Sequence, residues 1–159
     1  MEPRIDLSKA PPAILKAMRG LEAAVYASGL EPALVDLVKL RASQINGCAY
    51  CMDMHAKDLR ARGEKQERLD VLSAWREAPF YSDRERAALA WTEVVTLIAQ
   101  NHVTDDFYNE ARRHFSDDEL ANLTLAIVAI NGWNRFGVAF RFVPGTYQST
   151  VKQEKSQSA

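Results

Sequence analysis

The sequence predicts an all-α protein, a bundle of six or seven helices, and three observations carry that prediction. Apolar residues recur at intervals of three and four along most of the chain, the period of a helix with one buried face. Nowhere do apolar and polar residues alternate over a stretch enriched in β-branched side chains, as a half-buried strand requires. Ser82 with Glu85 and Ser116 with Glu119 have the spacing of capping boxes, in which each partner satisfies a backbone N–H that the first helical turn leaves open. The chain has 159 residues, 47% hydrophobic and 26% charged, without repeats or linkers, so it reads as one domain over residues 1–150 with a polar tail at 151–159.

In order along the chain, Pro11 and Pro12 stand where first-turn prolines are tolerated, and Ile14, Met18, Leu21, Ala24 and Val25 follow at helical spacing up to Gly29. Leu34, Leu37, Val38, Arg41, Ala42 and Ile45 form a second stripe that Asn46-Gly47 ends, because these residues enter the left-handed conformation readily. Cys48 to Arg62 is helical again and closed by Gly63, so the cysteines open a new helix. One amphipathic segment is expected from Lys65 to Trp75, with a loop at Pro79. The Ser82 box opens a helix through Ile98, and Thr104 is expected to cap a short helix carrying Phe107, Ala111 and His114. The Ser116 box opens the most apolar helix, running to about Phe140, with Pro144-Gly145 as its stop.

Charge narrows the partners. Twenty Lys and Arg stand against 21 Asp and Glu, for a formal charge of −1 and a pI near 6.3, so neither nucleic acid nor an anionic membrane is expected to bind. The longest unbroken apolar run, Leu125 to Ile130, is far below the roughly 18 residues of a spanning helix. The start, Met1-Glu2-Pro3-Arg4-Ile5-Asp6, has no apolar core of a secretory signal, and a cytoplasmic protein is expected. The charged run from Arg60 to Arg68 reads as a solvated helix face. Asn131 and Asn134, on an apolar helix, are expected to fix packing or a subunit contact.

The chemistry concentrates in Cys48-Ala49-Tyr50-Cys51 and His55. On a helix the two cysteines are i, i+3 neighbours, and Cys51 and His55 are i, i+4 neighbours, so two thiols and a base share nearly one face. Thiols at that offset can close a disulfide, and the loop is so short that the bond would be a poor stabiliser of the fold. A first-turn position favours the thiolate through the open backbone N–H groups and the helix dipole, and His55 can take the proton of Cys51. Asp36, on the preceding helix, can orient His55 if the Asn46-Gly47 break folds that helix back alongside. A zinc site is the alternative, but Cys48, Cys51 and His55 supply three ligands and no second cysteine pair exists.

These residues match a family. Asp36 to Gly63, above all Arg41-Ala42-Ser43-Gln44-Ile45-Asn46-Gly47-Cys48-Ala49-Tyr50-Cys51 with His55 and Lys57-Asp58, closely resembles the core motif of alkylhydroperoxidase D-like (AhpD-like) proteins in the carboxymuconolactone decarboxylase superfamily. Asn131-Gly132-Trp133-Asn134-Arg135 resembles a second segment common in one branch. The resemblance implies an all-α homo-oligomer, a trimer or a hexamer made of two trimers. It also implies removal of small-molecule hydroperoxides by a dithiol, with no cofactor and with an external dithiol or protein reductant. In that scheme Cys51 attacks the peroxide, Cys48 resolves, and His55 with an upstream carboxylate relays protons. Two positions depart from the family's characterised peroxidase: Asp36 stands in place of a glutamate, and Tyr50 in place of a histidine. The shorter Asp36 is expected to reach His55 through water. A redox-responsive or structural oligomer with little turnover is the further alternative.

Overall fold

The computed structural model describes residues 2–151, so the tail expected at 151–159 lies, beyond its first residue, outside the described residues. Among these residues there are seven α-helices: α1 (Pro12–Tyr26), α2 (Pro32–Asn46), α3 (Ala49–Ala61), α4 (Gln66–Asp70), α5 (Asp83–Thr96), α6 (Asp105–Arg112) and α7 (Asp117–Phe140). Single 3-10 turns occupy Leu7–Lys9 and Leu72–Ala74, and the described residues contain no strand. Both capping boxes form: Ser82 and Ser116 each accept from the backbone N–H three residues on, and Glu85 and Glu119 reach back to the cap.

Two expectations are corrected. The segment expected from Lys65 to Trp75 divides into α4 and a 3-10 turn. The tighter winding places Leu69, Leu72 and Trp75, spaced by three, on one face, and all three are buried. Thr104 occupies the cap of α6 but its side chain caps nothing, and Asp105 and Asp106 supply the negative charge there instead. Helix α7 ends at Phe140, as expected; Arg141, three residues ahead of Pro144, turns left-handed (φ 57°) and Phe142 N–H bonds Gly137 O at 2.9 Å.

Helix α2 is central: nine of its residues are buried, and it packs against α3, α5 and α7. Leu34, Val35 and Val38 meet Trp91, Leu123 and Ile127 on one side. Leu37 and Leu40 meet Leu59, Leu72, Trp75 and Leu89 on another. Helix α7 is long and apolar enough to suit a membrane span, with a mean hydropathy of 1.2. Its apolar stripe is used within the bundle, where Leu123, Ala126, Ile127, Ala129 and Ile130 are all fully buried against α1, α2, α3 and α5.

Asn131 and Asn134 fix packing. Asn46 donates to both, at 3.0 and 2.9 Å, while Asn134 donates to Ser43 Oγ at 3.0 Å and Asn131 to Thr96 Oγ1 at 3.1 Å. This network satisfies amides that would be costly to bury alone, and it pins the last turn of α2 to α7 beside the start of α3.

Candidate active site

Two residues, Gly47 and Cys48, connect α2 to α3. Gly47 is left-handed (φ 68°), and the Cys48 N–H returns to Ser43 O at 3.0 Å, so α3 folds back against α2. Asp36 lies 11 residues before Gly47 and His55 eight after it. At about 1.5 Å of rise per residue the two fall at comparable heights on facing helices.

The cysteines begin α3 as expected. Cys48 is its N-cap, with Sγ accepting the Cys51 N–H at 3.4 Å, and Cys51 is the third helical residue. They are joined by a disulfide with Cα atoms 5.4 Å apart. Both are buried, with Ala42 and Ile130 beneath them and Tyr50 and Trp133 beside them. Gly137 of α7 faces the bond at close range: a Cβ there would stand 2.7 Å from Cys48 Sγ and 3.5 Å from Cys51 Sγ. Hence α7 can approach the sulfurs only with glycine at this position.

Asp36 and His55 are both buried and in direct contact, His55 Nδ1 to Asp36 Oδ1 at 3.3 Å, which corrects the expectation of a bridging water. The close packing of α2 on α3 makes up for the missing methylene. The other oxygen, Oδ2, accepts from Arg62 Nε at 2.8 Å. Burial opposes the charge of Asp36, but the hydrogen bonds and positive charges of His55 and Arg62 outweigh it and hold the carboxyl below its ordinary value. An ionised Asp36 only accepts, so Nδ1 of His55 carries the hydrogen and Nε2 is left as the base.

Arg62 was legible in principle, seven residues after His55 and so on the same face of the helix, yet the charge run hid it. That run is no solvated face throughout: Arg68 pairs with Glu64 at 2.8 Å and Glu85 at 2.5 Å and lies over the Tyr81 ring. Asp58 is another residue that spacing alone left without a role, three after His55. It is buried and accepts from the Tyr147 hydroxyl at 2.9 Å and Ser149 Oγ at 2.6 Å. Burial, then the hydrogen bond and charge of Asp58, push the Tyr147 hydroxyl up to about 12, so it remains a donor at neutral pH.

Cys51 and His55 open on one cavity of about 460 Å³. Its walls come from α1 (Leu15, Arg19, Glu22, Tyr26), α3 (Tyr50, Met54, Asp58), Trp133 of α7, and two chain ends, Leu7-Ser8 and Phe142 with Tyr147. The C-terminal end is strapped along α3, with Asp53 accepting from Gly145 N–H at 2.9 Å and Lys57 donating to Tyr147 O at 2.9 Å. Tyr50 packs edge-on against Phe142, ring centres 5.6 Å apart.

As to metal, the described residues bring Asp36, His55 and Asp58 within 4.8 Å of one another at their ligand atoms. Arg62, Tyr147 and Ser149 already fill the carboxylate oxygens, and neither cysteine joins the group. Joined in the disulfide, Cys48 and Cys51 offer no thiolate to a zinc ion beside His55.

An all-α bundle that sets a dithiol at a helix start, opposite a buried carboxylate and imidazole, defines an AhpD-like class of protein. The profile of the carboxymuconolactone decarboxylase family matches residues 12–94, and the chain belongs to that family. YdfG of Bacillus subtilis, an uncharacterized protein, is 39% identical over 139 residues, which cover 87% of this chain and 95% of YdfG. The crystal structure of ATU0492 from Agrobacterium tumefaciens, a protein of unknown function and candidate antioxidant defence protein AhpD, has a TM-score of 0.88 at 46% identity. It covers 92% of this chain and 100% of its own. A peroxidase-related protein from Ralstonia eutropha JMP134, with an alkylhydroperoxidase AhpD core, has a TM-score of 0.78 at 21% identity over 88% of this chain and 74% of its own, a likeness of fold alone.

Proposed function

We propose that the protein is a dithiol peroxidase that reduces organic hydroperoxides. The observation that carries this reading is that Cys51, disulfide-bonded to Cys48 behind it, and the Asp36-supported His55 open together on one largely apolar cavity. The antioxidant assignment offered for ATU0492 is consistent with it.

In the reduced protein Nε2 of His55 takes the Cys51 proton, and the α3 N-terminus stabilises the thiolate. The thiolate attacks the distal oxygen of the hydroperoxide; the O–O bond breaks, the alkoxide leaves, and the proton held by His55 completes the alcohol. Cys51 is now a sulfenic acid. The Cys48 thiol gives its proton to the vacated His55 and its sulfur attacks that of Cys51; the S–O bond breaks, and the departing hydroxide takes the proton from His55 to become water. The disulfide is returned to two thiols by an external dithiol, which is itself oxidised to a disulfide. Asp36 holds the ring of His55 in the tautomer this requires and is a positioning residue.

The same reading includes a homo-oligomer, trimer or hexamer. It is supported by large apolar side chains that a single chain leaves exposed, among them Ile98, Val128 and Val138. The test is a pair of variants: Cys51→Ser should abolish hydroperoxide consumption, and Cys48→Ser should stop after one turnover with a sulfenic acid that a dimedone trap captures. Full turnover by Cys51→Ser would refute the mechanism.

A further inference from the structure

The charges around the cavity do not cancel in the same way on every wall. Three charged side chains besides His55 line it: Arg19, Glu22 and Asp58. Asp58 is satisfied by the hydroxyls of Tyr147 and Ser149. Glu22 is the only acid on α1 and stands three residues after Arg19, the natural distance for an ion pair along a helix. It is taken instead by Lys39 of α2, 1% exposed, whose ammonium also lies 4.8 Å from the centre of the Tyr26 ring. A buried ammonium without an anion would be costly, so Lys39 commits Glu22. Among the described residues Arg19 forms neither an ion pair nor a hydrogen bond, although it lines the cavity.

Size points the same way. Hydrogen peroxide, with roughly the bulk of two waters at about 30 Å³ each, would leave most of some 460 Å³ unfilled. Leu15, Tyr26, Trp133 and Phe142 offer the remainder an apolar body.

We infer that the cavity takes an apolar molecule bearing a carboxylate, its body against these four side chains and its carboxylate on Arg19. Combined with the peroxidase reading, on which this last step rests, the substrate class is a carboxylated medium-chain hydroperoxide whose O–O group reaches Cys51.

Octanoate and octan-1-ol, equal in chain length and inert towards the dithiol, test this by calorimetric titration of the full-length disulfide form. The wild type should bind octanoate about tenfold or more tightly than the alcohol. Arg19→Gln should lower octanoate affinity to that of the alcohol without changing the latter, and Arg19→Lys should retain most of the preference, which separates lost charge from lost fold. Equal affinities in the wild type, no binding of either compound, or a preference that survives Arg19→Gln would overturn the inference. A protein that binds octanoate through Arg19 yet consumes no hydroperoxide would refute the peroxidase reading and leave this one standing.

Discussion

Asp36 is the residue on which the electrostatics of the site turn, because a buried carboxylate is tolerated only while its two oxygens have donors. Its native value is lowered by His55 and Arg62, so the stabilisation it contributes is fully present above the value of an unfolded aspartate, about 3.9, and is lost as the pH falls through the lower native one. Asp36→Asn should therefore destabilise the protein at pH 7 by about 1.5–3 kcal/mol, the worth of hydrogen bonds to a charged group. The gap to wild type should close below about pH 4 in urea unfolding. The variant should also slow oxidation of Cys51 by on the order of 100-fold or more, since the tautomer of His55 is no longer enforced. Of this cluster the sequence showed Asp36, His55 and both cysteines through helical spacing and family resemblance. It hid Arg62, because one arginine among five charged neighbours carries no mark of burial, and it hid Asp58, whose donors Tyr147 and Ser149 are about 90 residues away.

At the scale of elements, the two-residue turn at Gly47 and the approach of α7 build the site. The turn was legible, since Asn-Gly after a helical stripe and before a second stripe has few other uses. The role of Gly137 was not, because a glycine in an apolar helix says only that something comes close. On an isolated helix Gly137→Ala would be worth roughly 1 kcal/mol of stabilisation. Here the added methyl meets two sulfurs on short side chains tied together in the core. Overpacking of about 1–3 kcal/mol should outweigh the propensity gain, giving a lower urea midpoint in the disulfide form. A stabilised Gly137→Ala protein would mean that α7 gives way without cost. Helix starts were read well from the capping boxes, because those signals are local; the winding of residues 66–74 was not, because it answers to the burial of Leu69, Leu72 and Trp75 in a core assembled from distant helices.

Over the whole molecule, the cavity is assembled from both ends of the described chain as well as from α1, α3 and α7. No periodicity encodes such an assembly, which is why the sequence pointed to the cysteines and His55 but not to the space in front of them. Arg4 N–H bonds Phe140 O at 3.0 Å and Asp53, Lys57 and Asp58 hold residues 145–149, so the two ends are anchored where they flank the dithiol. The proposed function requires that this space admit a hydroperoxide to a working dithiol couple. Stopped-flow mixing of the fully reduced protein with tert-butyl hydroperoxide, followed by thiol titration and intact mass, tests it most directly. Loss of both thiols with a mass decrease of about two hydrogens per chain is the expected result. Thiols that stay unreacted at millimolar hydroperoxide would contradict it.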